Sequence, residues 1–149
     1  MRIYADPSLL ISRLYPGDSG HAAACAAFRK YARATWLTSA WAEFETINSL
    51  RQICLRKPGP LPAVAEALRR LFRHWHQAGP FDRVETDLPE ALRECGQLSA
   101  AHGTALRMRS ADVLHVALLE QINPDLFLTR DKDQFALALA RAFPAELVA

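Results

Sequence analysis

Residues Ile3 to Pro7 read IYADP, a short apolar run that ends in an acid and a proline. Because proline disfavours helical geometry in the residue before it, we expect Asp6 to be extended, at the carboxyl end of a strand. The segment Asp125–Thr129, DLFLT, has the same character, and Asp131 follows it closely. The sequence therefore predicts two strands, each followed by an acid.

Helical segments alternate with the predicted strands along the chain. Thr35–Thr38 and Phe81–Glu85 also have strand composition. The predicted helices are Ser8–Leu14, Ser19–Arg33 with Ser19 as its cap, Ser39–Leu55, one after Pro60 that carries Val64, Leu68, Leu71, Phe72 and Trp75, Leu88–His102 stopped by Gly103, Ser110–Gln121 capped by Ser110, and Lys132–Phe143. This alternation predicts an α/β domain with a mainly parallel sheet. The break at Lys57–Pro60 separates two helices, so we expect residues 1–149 to form a single domain.

Composition narrows the class of protein. The chain has 149 residues, half of them hydrophobic, and a net charge of only +2. It contains no apolar stretch of the roughly 18 residues that a membrane span needs, and its start lacks the apolar region of a signal peptide. The three cysteines, Cys25, Cys54 and Cys95, are odd in number and far apart. They predict small apolar core residues in a reducing cytoplasm, and neither a disulfide framework nor a zinc site.

Three aspartates occupy positions where a ligand site can form. Asp6 and Asp131 follow predicted strands, and ligands of open parallel sheets bind in the crevice beyond the carboxyl ends of the strands. Taken singly, each is also explained as a turn residue or a helix cap. Asp112 lies in the first turn of a helix among mostly apolar neighbours, where it either complements the helix dipole or faces a buried site.

A fourth acid comes from the helix that begins near Ser39. At 100° per residue, Glu45 falls between Trp41 and Asn48, beside the apolar stripe of this helix, whereas Glu43 points well away. Glu45 is therefore the better candidate for an active site, and Glu43 is expected to be a solvated charge.

Four motifs in order carry a resemblance to a known family. They are ADPS at 5–8, ETINSL at 45–50, RSADVLHVA at 109–117 and FLTRDKD at 127–133. In this order and spacing they resemble the motifs of PIN-domain ribonucleases, in particular the VapC-type toxins of bacterial toxin–antitoxin pairs. The resemblance covers nearly the whole chain and implies a PIN-like three-layer α/β/α domain, with a small, mainly parallel central sheet flanked by helices.

The resemblance also implies a metal site. Asp6, Glu45, Asp112 and Asp131 would hold Mg²⁺ or Mn²⁺, with Asp133 as a secondary candidate and with Ser8 and Thr129 supporting the acids. Elementary physics agrees, because converging carboxylates repel one another unless a cation or protons join them. Hard oxygen ligands favour Mg²⁺ or Mn²⁺, and such an ion activates water for attack on a phosphodiester. The number of ions stays open, as does the choice between Glu43 and Glu45. Pro7 departs from the pattern by removing a backbone N–H close to the site.

The function implied is an endoribonuclease that acts as a toxin and leaves 5′-phosphate and 3′-hydroxyl ends. Its partners would be an RNA substrate, a second copy of the chain, and an antitoxin that covers hydrophobic and basic surface and inserts a cation among the acids. Trp41 and the helical hairpin after it offer apolar surface for the homodimer. The alternatives are a catalytically silent PIN-like module that binds RNA or protein, and a nuclease of RNA maturation.

Basic and aromatic residues outside the motifs allow two interpretations. Six basic side chains lie between positions 51 and 77: Arg51, Arg56, Lys57, Arg69, Arg70 and Arg73. They form either a track for an RNA backbone or a solvated helix face. Arg107 and Arg109 either reach substrate phosphate or tether the acids. We expect His115 to pack inside the fold. Trp75 either stacks on a base or packs in the core or an interface, and its spacing with Leu68, Leu71 and Phe72 favours packing.

Overall fold

The computed structural model describes residues 1–56 and 59–149. Five strands form one sheet: β1 (Arg2–Ala5), β2 (Thr35–Thr38), β3 (Phe81–Arg83), β4 (Leu126–Thr129) and β5 (Ala145–Leu147). Their spatial order is β3-β2-β1-β4-β5, and every pairing is parallel. Lys57 and Pro58, which belong to the predicted helix break, lie outside the described residues.

The helices are α1 (Pro7–Leu14), α2 (His21–Lys30), α3 (Ala40–Gln52), α4 (Pro62–Ala78), α5 (Leu88–His102), α6 (Ser110–Ile122) and α7 (Lys132–Ala140). A 3₁₀ turn, Ile53–Leu55, follows α3. None of the helices within the described ranges has the length and apolar character needed to cross a membrane.

Alternation along the strands divides the core into two layers. Successive side chains of a strand point to opposite faces of the sheet. Ile3 and Ala5 pack with α1, α2 and α4 on one face, whereas Tyr4 packs with α5, α6 and α7 on the other. Helix α6 is buried over most of its length, as expected for a helix whose sequence is mostly apolar, and Ser110 and Glu120 are exposed. The predicted three-layer α/β/α architecture is confirmed, and the sheet is wholly parallel.

Helix α3 contributes to both layers. Its Ala42 belongs to the core on the Tyr4 face, and its Leu50 belongs to the core on the Ile3 face. Ser39 caps the helix by accepting the N–H of Ala42 at 3.2 Å. The middle of α3, where Glu45 lies, therefore sits between the two layers.

The strand order reverses at β1. The chain moves from β1 to β2 and β3 in one direction, then returns to place β4 and β5 on the other side of β1. The carboxyl ends of β1 and β4 therefore flank the topological switch point, where open α/β sheets bind their ligands. Asp6 follows β1 and Asp131 follows β4.

Several predicted boundaries were wrong. Helix α2 begins at His21 with Gly20 at its cap position, so Ser19 does not cap it. Arg109 is the cap residue of α6, because the Asp112 carboxylate accepts the Arg109 backbone N–H at 3.1 Å. Helix α7 ends at Ala140, close to the left-handed Ala142, and strand β5 was not predicted.

Candidate active site

A polar cavity of about 350 Å³ lies at the switch point. All four predicted acids line it, although they come from four separate parts of the sequence. Glu43 and Asp133 are not among its lining residues. The lining consists of Asp6, Pro7, Ser8, Ile11, Ser12, Asp18, Glu45, Ser49, Arg56, Arg109, Asp112, Arg130, Asp131 and Gln134.

Asp6 is buried at the point where β1 gives way to α1. It is extended, as Pro7 predicts, and its Oδ2 accepts the Ser8 N–H at 2.9 Å, the Ser8 hydroxyl and the Thr129 hydroxyl at 3.2 Å. Pro7 occupies the first position of α1, where a backbone N–H has no helical partner to lose. Burial raises the pKa of Asp6, although the charge of His115 and the Ser8 hydrogen bonds act to lower it. An added positive charge would therefore favour the ionised form.

Asp131 caps α7 beside Asp6. Its Oδ1 accepts the N–H groups of Asp133 at 2.8 Å and Gln134 at 3.0 Å. Its own N–H donates to the Thr129 hydroxyl at 2.9 Å, so this one hydroxyl links Asp131 to Asp6. Ser8 and Thr129 thus support the acids as expected. The part of Asp133 that reaches this network is its backbone N–H.

Arg109 bridges two of the acids. Its guanidinium donates to Asp112 at 3.0 and 3.3 Å and to Asp131 at 3.1 Å. The hydrogen bonds to Asp112 raise the pKa of Arg109 above its ordinary value, as does the charge of Asp131. The Arg109 side chain is 78% exposed, whereas Asp112 is buried. Of the two roles left open for Arg109, the structure shows the tether between acids.

Glu45 is held by a buried histidine. His115 has no exposed surface, and its Nε2 donates to Glu45 Oε2 at 2.5 Å, since an ionised carboxylate only accepts. His115 Nδ1 shares a 2.9 Å hydrogen bond with the Tyr4 hydroxyl, which lies 3.4 Å from the Ser39 hydroxyl. Burial raises the pKa of Tyr4, so the phenol stays protonated. His115 is packed, as predicted, and it also orients an acid of the cavity.

Glu43 points away from the cavity but is not the solvated charge expected from the sequence. It lies 3.5 Å from Arg83 of β3 and 3.5 Å from the His76 ring of α4. The helical register thus separates the two glutamates as predicted, because Glu43 faces α4 and β3 while Glu45 faces the cavity. What the sequence missed is that Glu43 has partners there.

The side chains that line the cavity are rich in carboxylate oxygens, the ligand type that hard divalent cations prefer. Among the residues that the structure describes, five carboxylates and three guanidinium groups line the cavity, which leaves two negative charges when all are ionised. The buried Gln134 donates its amide N–H to Asp112 at 3.2 Å, while its Oε1 finds no hydrogen-bond partner within the described ranges. Within those same ranges, no three acidic, histidine or cysteine side chains are arranged to hold an ion, since Arg109 occupies oxygens of Asp112 and Asp131. The Mg²⁺ or Mn²⁺ site therefore stays a prediction.

Sequence reasoning missed the other polar residues of the cavity wall. Gln134 lies three residues after Asp131 in the sequence, and this spacing could have singled it out as a neighbour of Asp131 on the same helix face. Ser12 and Asp18 belong to no motif, and Arg130 lies within the FLTRDKD motif but received no role there; the three meet only in the folded chain.

The remaining expectations have mixed outcomes. Trp75 packs inside the fold, stacked on Phe81. The segment between positions 51 and 77, which we call the basic hairpin, carries the six basic side chains named above. Of these, Arg56 lines the cavity, and Arg69 pairs with Glu66 on its own helix. The three cysteines are unpaired and half-buried. Cys95 packs against the core on the Tyr4 face, as expected of a small apolar core residue, whereas Cys25 and Cys54 lie at the margin of the core.

Comparison with solved structures shows which proteins share this fold. VapC20 of Mycobacterium tuberculosis, described as a Sarcin-Ricin loop cleaving toxin, matches with a TM-score of 0.68 and 15% identity, covering 90% of this chain and 93% of that one. VapBC2 of Rickettsia felis, bound to a DNA fragment from its promoter, gives 0.63 and 10%, covering 99% and 98%. FitAcB of Neisseria gonorrhoeae gives 0.60 and 15%, covering 96% and 95%.

No family model and no curated protein sequence matches the chain. At 10–18% identity, the structural matches establish the fold, which this chain shares with VapC toxins over nearly its full length. This fold is the one that the sequence motifs implied.

Proposed function

We propose that the chain is an endoribonuclease that depends on Mg²⁺ or Mn²⁺. The observation that carries the proposal is the meeting of Asp6, Glu45, Asp112 and Asp131 around one cavity at the switch point of the sheet. Three of these acids have local roles as caps. Glu45 has none, because it lies in the middle of α3 and faces the cavity only through the fold.

The four acids would hold the ion, and the excess of two negative charges among the described lining residues matches one divalent cation. When bound, such an ion would lower the pKa of a bound water and offset the negative charge that develops on the phosphoryl oxygens. Hydrolysis adds water to the phosphorus and breaks its bond to O3′, which gives the 5′-phosphate and 3′-hydroxyl ends.

The residues around the acids act by keeping them in place. Ser8 and Thr129 hold Asp6, and His115 holds Glu45. Arg109 balances the charge of Asp112 and Asp131, and its exposed side chain is free to turn toward solvent when a cation takes over that role. Prepositioned acids of this kind leave little reorganisation for the moment of reaction.

Cleavage of RNA by the purified protein tests this proposal. We expect cleavage in Mg²⁺ or Mn²⁺, none in excess chelator, and none by the Asp6→Asn or Asp112→Asn variants, because each lacks one of the carboxylate ligands. Glu43→Gln, on the other face of the same helix as Glu45, is the matched control and should stay active. Full activity in chelator would refute the metal mechanism.

We further propose that the enzyme is the toxin of a toxin–antitoxin pair. The support is the sequence resemblance together with the fold shared with VapC20, which is described as a toxin. Inducing the wild-type and Asp6→Asn chains in cells and comparing growth tests this role. Arrest by the wild type alone supports it. Equal growth, with cleavage intact in vitro, points instead to RNA maturation.

The antitoxin would be a protein that restrains the cavity, and a second copy of the chain would be the other partner. An apolar groove of about 760 Å³ between α5 and α6 supports the homodimer. Trp41, Leu88 and Leu92 line it, and the last two side chains are largely exposed in the single chain. Pairing of two such grooves would remove this apolar surface from water.

A further inference from the structure

A second group of charged residues lies on the wall of the same cavity. Asp18 is 12% exposed and pairs with Arg130 at 2.8 Å and with Arg56 at 3.4 Å. Both guanidinium groups line the cavity that the four acids line. The described contacts of Arg56 and Arg130 with acids are to Asp18, not to the four acids of the proposed metal site.

The position of Arg130 is strongly determined by its surroundings. Its Nη1 donates to the Ser12 hydroxyl at 2.7 Å as well as to Asp18, and its backbone N–H donates to the Ser8 hydroxyl at 3.2 Å. The guanidinium lies over Gly20, where any Cβ would overlap it. Because Ser8 also binds Asp6, Arg130 is held in register with the acids.

Charge is distributed unevenly along the cavity. The part formed by Asp6, Glu45, Asp112 and Asp131 carries four carboxylates and one guanidinium, from Arg109. The part formed by Arg56, Arg130 and Asp18 carries two guanidinium groups and one carboxylate. The first group therefore favours a cation, and the second favours an anion.

We propose that Arg56 and Arg130 form a subsite for a phosphate of the RNA strand next to the one that is cleaved. The inference rests on the proposed function, since it names where the rest of the substrate backbone binds. Guanidinium groups suit phosphate because they offer several N–H donors in a planar fork. The Arg56 side chain is 53% exposed and so can meet an incoming strand, while Arg130, 24% exposed, supplies a charge fixed by Asp18 and Ser12.

The subsite explains one part of the basic hairpin. Between positions 51 and 77, the sequence left open whether the basic residues track RNA or coat a solvated face. Among the basic residues of this stretch that the structure describes, Arg56 lines the cavity, whereas Arg51, five residues earlier and exposed, does not. These two arginines therefore form a matched pair for experiment.

Steady-state cleavage of a short single-stranded RNA of mixed sequence tests the subsite. We expect Arg56→Ala to raise KM by about tenfold or more, the usual scale for a charged hydrogen bond, with a much smaller change in kcat. The slope of log KM against log salt should fall by about 0.7, as for one lost phosphate contact on a single strand. The KM for a second RNA of different sequence should rise by the same factor, because phosphate contacts carry no sequence information. Arg51→Ala should match the wild type.

Replacing one phosphate of the RNA with a neutral analogue tests whether Arg56 contacts that phosphate. A methylphosphonate placed one linkage from the cleaved bond removes the charge of that phosphate. If Arg56 binds this phosphate, the wild type should bind the modified RNA more weakly than the unmodified RNA. The Arg56→Ala variant should bind the two RNAs about equally, because the two changes delete the same interaction.

The outcomes separate this inference from the proposed function. If the wild type neither binds nor cleaves RNA, the proposed function fails. If the wild type cleaves RNA but Arg56→Ala behaves like Arg51→Ala, or if the methylphosphonate effect adds fully to that of Arg56→Ala, the subsite alone is refuted. Thermal unfolding of both variants checks that the fold is intact, which the exposure of both side chains leads us to expect.

Discussion

Asp6 and Asp131 each use one carboxylate oxygen to cap a helix, and each also lines the cavity. Asp131 gives Oδ1 to the first turn of α7 while Oδ2 meets Arg109, and Asp6 gives Oδ2 to Ser8 at the start of α1. The ordinary explanation of an aspartate after a strand, that it caps a helix, is therefore true here. It does not compete with a role in the site, because a carboxylate has two oxygens and several acceptor positions.

The hydrogen bond from His115 to Glu45 can be tested by substitution. Replacing it with Leu removes the Nε2 donor that orients Glu45, so the Mn²⁺ concentration for half-maximal RNA cleavage should rise by about 10–100-fold, as is typical when a supporting partner of a metal ligand is lost. His115→Gln can still donate to Glu45 and should restore most of the affinity. Equal Mn²⁺ requirements for the wild type and both variants would contradict the positioning role.

Helices and strands were predicted correctly where the segment is long or where capping residues mark its ends. Helix α5 runs over Leu88–His102, as predicted, because Gly103 stands at its C-terminal end and Asp87 caps its start. Strand β5 failed because it has three residues, half-buried, with no turn signal of its own, and it exists only by pairing with β4.

The same contrast holds for the site. The sequence order and the strand ends placed Asp6 and Asp131, and helical register chose Glu45 over Glu43. Asp18, Ser12 and Arg130 escaped because their meeting depends on tertiary packing of α1 against the segment after β4, which no local pattern encodes.

Strand β5 also gives a prediction about pH. Its Glu146 accepts hydrogen bonds from the Tyr31 hydroxyl at 2.6 Å and from Lys30 at 2.9 Å. Although partial burial raises its pKa, these bonds and the Lys30 charge lower the pKa of Glu146 below its ordinary value of 4.5. A lowered pKa means that the contact stabilises the fold above the ordinary value and that this stability is lost as the pH falls through the lowered one.

We therefore expect the melting temperature of Glu146→Gln to fall less than that of the wild type between neutral pH and about pH 3. Glu85→Gln is the control, since the Glu85 carboxylate is 89% exposed, and it should fall as the wild type does. Identical curves for all three proteins would show that the Glu146 contact contributes no pH-dependent stability.

The described residues form two concave surfaces to which we have assigned proposed functions. One is the polar cavity at the carboxyl ends of β1 and β4, and the other is the apolar groove between α5 and α6. Trp41 of α3 lines the groove, and Glu45, one helical turn later, lines the cavity. Helix α3 therefore joins the two surfaces, so a partner in the groove would rest against the helix that carries one of the acids.

The groove leads to a prediction about assembly. A charge placed in the centre of an apolar interface is costly to bury, so Leu92→Lys should shift the protein from dimer to monomer in sedimentation velocity. Leu139→Lys is the control, because Leu139 is exposed to a similar extent, 49% against 56%, but lies outside the groove. A wild type that sediments as a monomer, or dimers that persist in Leu92→Lys, would rule out this interface.

Binding of Mn²⁺ to the metal-stripped protein, followed by calorimetry, tests the central claim most directly, because it needs no knowledge of the RNA target. The four acids should bind the ion together, so Glu45→Gln and Asp112→Asn should each weaken binding by about tenfold or more, while Glu43→Gln should leave it unchanged. No Mn²⁺ binding by the wild type, or a loss on Glu43→Gln with none on Glu45→Gln, would contradict the account.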